Sequence, residues 1–243
     1  MANTYFQFKQ FTVHQEQAAM KICTDACLFG AWVAKDPVLT EANKILDIGA
    51  GTGLLSLMLA QTTDANTFLT AIEIEDHAAA EASSNFEASP WKERLSLVHS
   101  AIQNYNPDTQ FDCIITNPPF FEGDLQSPNA NKNLAAHSAA LPWMDLINHV
   151  NRLLNADGFY YVLIPALRAY TMQKLAGQNG LQLVEEVVVF NAAIQKPFRV
   201  LQKYQKTNAP VSAIQRSNFM IKDPENNYTE SFTQLLKDYY LHL

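Results

Sequence analysis

The sequence predicts an α/β protein built on a Rossmann-like, doubly wound sheet of seven strands, with additions before and after that core. Three observations carry the prediction. From residue 44 onward, short apolar runs alternate with segments whose apolar residues fall at helical spacing, the alternation that builds parallel sheets with crossover helices. Three of the chain's 8 glycines, Gly49, Gly51 and Gly53, sit within five residues between one such apolar run and one such helical segment. The last two strand-like runs, about 182–189 and 199–205, have no helix-length segment between them, so they pair as an antiparallel hairpin.

The elements follow in order. Phe6 to Val13 alternates apolar and polar residues, as a short strand or hairpin arm does. Thr24-Asp25 reads as an N-cap pair opening the apolar helix Ala26 to Val33, with Cys23 and Cys27 as core packing. The first core strand is about 44–48 and its helix about 53–61; the second strand is about 67–73. Glu75-Asp76 put negative charge at the start of a helix over 77–88, where the macrodipole favours it, and Ser89-Pro90-Trp91 ends it. A third strand covers 95–99 and a fourth 111–116, running into Asn117-Pro118-Pro119-Phe120. Residues 121–140 are polar and without period, a long loop of the kind that serves function. Pro142 then sets the first turn of a helix with Trp143, Leu146, Ile147, Val150, Leu153 and Leu154 on one face. Asp157-Gly158 turns the chain into a fifth strand over 159–164, and a helix over 168–178 closes at Asn179-Gly180. Beyond Pro210 lie one apolar patch, Phe219-Met220-Ile221, and a tail with Phe232, Leu235, Leu236, Tyr239 and Tyr240 at helical spacing. The expectation is one domain over 1–243: an N-terminal extension (1–43), the core sheet (44–206) and a C-terminal extension (207–243).

Composition narrows the function classes. At 243 residues and 48% hydrophobic, the chain can bury a full α/β core. A net charge of −7 argues against a non-specific nucleic-acid binder. Three cysteines, none in a C-x-x-C pair, fit reduced thiols and no zinc site. His14, His77, His99, His149 and His242 are scattered without ligand spacing, so no metal is expected, and His137 in the long polar loop reads as a solvated residue rather than an RNA contact. Without a basic-then-apolar leader or an apolar run near ~20 residues, the expectation is a cytoplasmic enzyme with no membrane contact.

The glycine turn reads D-x-G-x-G-x-G, from Asp47 to Gly53. A dinucleotide turn, G-x-G-x-x-G, would need glycine where Leu54 stands. An acid two residues before the first glycine disfavours pyrophosphate and suits an ammonium, such as that on the amino-acid end of S-adenosylmethionine. About 20 residues on, Glu73 ends the next apolar run and suits a ribose diol. Asp47, Gly49, Gly51, Gly53 and Glu73 are therefore the candidate cofactor residues. The second motif, Asn117-Pro118-Pro119-Phe120, ends the fourth strand and faces the same crevice, since ligands of open α/β sheets bind outside the strands' carboxyl ends. An aromatic amine such as adenine N6 is a poor nucleophile because its lone pair is delocalised. The Asn117 side-chain oxygen and the Pro118 carbonyl can accept its two N–H bonds, and Phe120 offers a face on which a planar base stacks. Asn117, Pro118 and Phe120 are the candidate catalytic residues, flanked by Pro119 and Phe121 as substrate contacts. Glutamine side-chain amides, also planar nitrogens, suit the same arrangement.

The glycine turn with Asp47 and Glu73 resembles the class I S-adenosylmethionine-dependent methyltransferases. The likeness sharpens over Phe8-Lys9-Gln10-Phe11, Met20 to Ala26, Leu46 to Gly53, Asn117 to Phe121 and Asn133 to Ser138. Their order is similar to that of the bacterial tRNA1(Val) adenine-37 N6-methyltransferases, across essentially the whole chain. The resemblance implies S-adenosylmethionine as cofactor and a valine tRNA as partner, methylated on adenine N6 beside the anticodon. One position departs from it. Where such enzymes often carry an acid after the third strand, this chain reads His99-Ser100-Ala101, so Ser100 or a backbone group is expected to meet the cofactor adenine. Alternatives on the same scaffold are a glutamine-amide protein methyltransferase, a DNA or rRNA adenine N6-methyltransferase, or a cofactor-binding scaffold without activity.

Charge is unevenly spread. Residues 1–165 carry 8 Lys+Arg against 18 Asp+Glu, whereas residues 166–243 carry 9 against 6. No acid occurs between 187 and 222. Lys196 and Arg199, with Lys132 in the long loop, are the expected contacts to the tRNA backbone.

Overall fold

The computed structural model describes residues 3–18, 20–118, 143–192, 195–209, 211 and 213–243. The expectations for Pro119, Phe120, Phe121 and Lys132 lie outside the described residues. The core is an eight-stranded sheet of order β10-β8-β9-β7-β6-β3-β4-β5. Its strands are β3 (Lys44–Ile48), β4 (Phe68–Glu73), β5 (Leu95–His99), β6 (Phe111–Thr116), β7 (Leu154–Pro165), β8 (Leu181–Ala192), β9 (Arg199–Lys206) and β10 (Gln215–Lys222). Every pairing is parallel except those of β9, which runs antiparallel to both β7 and β8. That hairpin is the one expected from the missing crossover helix.

Neighbouring side chains on each central strand enter opposite cores, as a strand's period of two requires. Ile45, Cys113, Ile115, Tyr161 and Leu163 face one core, together with the helices α1 (Thr24–Ala34) and α2 (Leu54–Ala60). Leu46, Ile48, Ile114, Tyr160, Val162 and Ile164 face the other, against α4 (Trp143–Leu153) and α5 (Ala169–Gln178). The helix α3 (Asp76–Glu87) joins β4 to β5, and the Glu75 carboxylate caps it by accepting from His77 N and Ala78 N. Helices on both faces of a mostly parallel sheet are the doubly wound arrangement.

Three local expectations need correction. The sheet has an eighth strand, because the patch Phe219-Met220-Ile221 is part of β10, paired parallel with β8. Only Ile221 of that strand is buried, so its sequence lacks the alternation that marks a half-buried strand. Leu154 begins β7 rather than continuing the helix. There the turn at Asp157-Gly158 is a bulge within the strand, with Asp157 at φ 61°. Lys206 Nζ makes that sharp change tolerable, donating to the carbonyls of Asn151 (2.6 Å) and Leu154 (2.8 Å) at the end of α4. Finally, Cys23 rather than Thr24 or Asp25 is the N-cap of α1, and no side chain caps the helix. Cys23 is exposed while Cys27 is buried.

The additions close on one another. A hairpin of β1 (Tyr5–Gln7) and β2 (Thr12–His14) stacks Phe8 on Phe11 at 4.5 Å and bridges Phe8 to Tyr240. The tail helix α6 (Glu230–Leu236), capped by Thr229, buries Phe232, Leu235 and Leu236. Among the described residues no helix is long and apolar enough to cross a membrane.

Candidate active site

The sheet reverses direction of growth between β3 and β6, which lie side by side with Ile48 opposite Thr116. A reversal of strand order opens a crevice at the carboxyl ends, and both sequence motifs begin there. Gly49 is the first residue past β3 and Asn117 the first past β6. The Thr116 hydroxyl donates to the Ile48 carbonyl at 2.8 Å, tying the two exits together.

The three motif glycines do different work. All have positive φ: 74° at Gly49, 56° at Gly51 and 81° at Gly53, the region that favours glycine. A Cβ on Gly53 would lie 2.5 Å from the Phe86 ring, so this glycine lets α2 and α3 pack. A Cβ on Gly49 or Gly51 would meet nothing within 4 Å. Those two therefore keep a cradle open above the turn. The turn is pinned to the end of β4, where the Ile72 carbonyl accepts from Gly49 N (2.8 Å) and Ala50 N (3.0 Å).

Glu73 holds the cradle's shape. One carboxylate oxygen accepts from Gly51 N at 2.8 Å, the other from Ile74 N (2.8 Å) and Glu75 N (2.9 Å). Three of a carboxylate's roughly four lone-pair sites are thus used, leaving about one for a ligand hydroxyl. Asp47 lies deeper, 1% exposed. Its Oδ2 accepts from Ser56 N (3.2 Å) and Ser56 Oγ (2.8 Å). Burial pushes its carboxyl from 3.8 up to about 7; the Ser56 hydrogen bonds oppose that rise and the Glu73 charge adds to it.

Four buried side-chain oxygens among the described residues have no hydrogen-bond partner, and two of them, Asp47 Oδ1 and Asn117 Oδ1, belong to this crevice. Buried acceptors without donors are uncommon and call for an explanation. An ammonium or bridging water at Asp47 and an amine at Asn117 would satisfy them. The residues present thus fit a cofactor with a cationic amino-acid end. Pro118 is buried beside Asn117. Ser100 lies past β5 with its N donating to the Glu73 carbonyl (2.9 Å), and its hydroxyl turns back to the Ala101 carbonyl (3.0 Å). That leaves the backbone around Ser100 and Ala101 beside the cradle. Neither buried cysteine offers nucleophilic chemistry here: burial pushes the Cys27 and Cys113 thiols up to about 12.

The predicted basic track is only partly free. Lys196 is exposed on the connection between β8 and β9. Arg199 is bound: its Nε lies 2.7 Å from Asp25 Oδ2, tying α1 to the amino end of β9. Lys203 turns inward, with Nζ 2.5 Å from Asp36 and 4.5 Å from the Phe159 ring centroid. Several supporting residues escaped the sequence reading. Ser56 holds Asp47. Asn85 of α3 accepts from His14 N and donates to the carbonyls of His14 and Thr52, each at 2.9 Å. Glu81, one turn earlier, accepts from Gln17 N (3.0 Å) and Ala18 N (2.9 Å). Both are buried polar residues on a face shared with Ala78 and Ala82, and that interruption of an apolar face is the one signal they leave in the sequence.

A glycine cradle between two acids, opening beside a partnerless asparagine on a doubly wound sheet, defines the class I S-adenosylmethionine-dependent methyltransferase architecture. Solved structures share the fold. A predicted O-methyltransferase of Agrobacterium tumefaciens superposes with a TM-score of 0.68 at 16% identity, covering 88% of this chain and 96% of that one. A Listeria monocytogenes protein described as a class I S-adenosylmethionine-dependent methyltransferase gives 0.60 at 13%, over 82% and 68%. Residues 33–142 match the family model "Methyltransferase small domain". The chain belongs to the tRNA1(Val) (adenine(37)-N6)-methyltransferase family. Relatives bearing that name are 40% identical in Dyadobacter fermentans (98% of each chain), 40% in Cytophaga hutchinsonii (100% of each) and 37% in Pseudoalteromonas translucida (98% of this chain, 99% of that).

Proposed function

We propose that the protein transfers a methyl group from S-adenosylmethionine to N6 of adenine 37, beside the anticodon of a valine tRNA, and acts in the cytoplasm. The whole chain, 1–243, serves as one methyltransferase domain, with 1–43 and 207–243 as additions to the core 44–206. The observation that carries the chemistry is the partnerless Asn117 oxygen, one residue beyond the strand that adjoins the glycine turn. The names of the full-length relatives support the substrate.

The cofactor supplies an electrophilic methyl group on a sulfonium. Asp47 would hold its ammonium, the open cradle at Gly49 and Gly51 would admit the part that runs along the backbone, and the remaining lone pair of Glu73 would take a ribose hydroxyl. Asn117 Oδ1 and the Pro118 carbonyl accept the two N–H bonds of the target amine and favour its pyramidalisation, so the nitrogen lone pair can leave conjugation and point outward. With the cofactor bound, formation of the N–C bond would break the methyl–sulfonium bond, whose electron pair would stay on sulfur to leave a neutral thioether, and the amine would lose one of those N–H protons to water. Phe120 is assigned the stacking face, and Pro119 and Phe121 the neighbouring contacts. Positioning and hydrogen bonding supply the rate without a covalent intermediate. The test is transfer of a labelled methyl group to tRNA, rRNA, DNA and protein pools side by side. Label in tRNA, mapped to N6 of adenine 37, is expected; label in protein or DNA alone refutes the assignment.

A further inference from the structure

The cations of this acidic chain sort into two groups. Many are committed internally: Arg199 to Asp25, Lys203 to Asp36, Arg216 to Glu186, and Lys206 to the end of α4. Among the described residues, Lys92, Arg168, Lys174 and Lys196 are exposed and their side chains make no hydrogen bond, ion pair or ring contact. Lys92 precedes β5, at the amino end of the sheet. Arg168 and Lys196 belong to the opposite end, and Lys174 to the helix that leads back from it. Arg168 closes the short turn that follows β7, Lys174 lies in α5 behind it, and Lys196 stands on the connection leading into β9, the next strand of the sheet.

Two large side chains stand uncovered at the same corner: Leu167 is 94% exposed and Tyr170 77%. Tyr170 and Lys174 are four residues apart and so share one face of α5. The corner is close to the chemistry, because β7 pairs directly with β6, Val162 lying opposite Thr116, and Asn117 follows Thr116. An exposed aromatic and a leucine bracketed by unpartnered cations is the surface that a nucleic-acid loop requires. Cations meet phosphates and set register, while an unpaired base stacks on the ring.

Resting on the methyl-transfer reading above, we infer that the corner formed by Leu167, Arg168, Tyr170 and Lys174, with Lys196, is the docking face for the anticodon arm of the tRNA. Arg168 and Lys196 meet phosphates, and Tyr170 stacks an unpaired base next to the target adenine.

The experiment compares wild type, the double variant Arg168→Ala/Lys196→Ala, Tyr170→Ala and the control Lys92→Ala. It measures tRNA affinity against salt, the tRNA KM, and S-adenosylmethionine affinity. Loss of two phosphate contacts should raise the tRNA KM on the order of tenfold and flatten the log–log salt slope by roughly 1.4–1.8. Tyr170→Ala should raise KM with the salt slope unchanged, Lys92→Ala should match wild type, and cofactor affinity should hold in all four. Wild-type KM and slope in the double variant overturn the surface. So does a wild-type dimer that Leu167→Ser/Tyr170→Ser dissolves without loss of RNA binding, which would make the corner a contact between copies. Wild-type protein that transfers no methyl group to tRNA overturns the proposed function itself, a result distinct from both.

Discussion

With the cofactor ammonium placed at Asp47 as proposed, the depth of that carboxyl would make cofactor binding a proton-linked event. Its carboxyl titrates near 7 in the free protein because it is buried, and its unpartnered Oδ1 is where a cationic group gains most from the ionised form. An α-amino group, with a reference value of ~7.7–8.0, stays charged below pH 7. Any slope there belongs to the protein. With a carboxyl at about 7, only about one site in eleven is ionised at pH 6, so the dissociation constant for S-adenosylmethionine should be about elevenfold weaker than at the fully ionised limit. At pH 7 the loss is about twofold, and binding at pH 6 should release about 0.9 proton per cofactor. Calorimetry between pH 5.5 and 7.5, in two buffers of different ionisation enthalpy, reads both quantities. Methylthioadenosine, which lacks the amino-acid end, should show neither. Stability carries the opposite sign. The native state keeps a proton that the unfolded chain has lost between about pH 4 and 7, so the free protein loses stability as pH rises through that window. Asp47→Asn cannot undergo that loss. Its melting temperature should gain on wild type from pH 5 to pH 8, while its cofactor affinity at pH 7.5 falls by ~1.5–3 kcal/mol. A pH-independent dissociation constant with no proton release would refute the placement of the ammonium at Asp47.

Three further outcomes are expected. Asn117→Ala should lower turnover on the order of 10²-fold, with cofactor affinity intact by calorimetry; full activity removes the amine-activation role. Glu73→Ala strips the acceptor from Gly51 N, Ile74 N and Glu75 N, so it should weaken cofactor binding and cost about 1–3 kcal/mol of stability in urea unfolding; an unchanged midpoint and affinity contradict the strut. Gly53→Ala, whose Cβ would press on Phe86, should destabilise the fold. Gly51→Ala, at φ 56° with its Cβ in the open cradle, should instead show its larger loss in cofactor affinity, and equal melting temperatures and affinities in the two variants would remove the distinction.

Much of this was legible because the physics that forms the elements is local. The central strands β3, β4 and β6 are largely buried on both faces and read as apolar runs, so they lie within a residue or so of expectation, as does the edge strand β5 between its helix and the next turn. That Asp47 and Asn117 lie at one crevice was legible because strand ends of an open sheet converge there. What escaped depends on partners distant in sequence. Nothing near β10 says that a mostly exposed strand pairs with β8. Asp25 looked like a cap until Arg199, 174 residues away, proved the stronger partner. Ser56 is unremarkable in an apolar helix until its hydroxyl is seen on Asp47. The Arg199–Asp25 pair escaped for a related reason: counting cations does not reveal which are already committed.

Asn85 ties together three segments that the sequence keeps far apart: the strand residue His14, the glycine turn at Thr52 and the helix α3. A single buried amide therefore makes the order of one segment conditional on the order of the others. When a ligand fixes the glycine turn, the free energy of opening at His14, and at Gln17 and Ala18 held by Glu81 on the same helix, must rise with it. By reciprocity, whatever loosens that entry segment weakens the ligand by an equal factor. Hydrogen exchange at these amides thus becomes a gauge of cradle occupancy read from residues that need not touch the ligand.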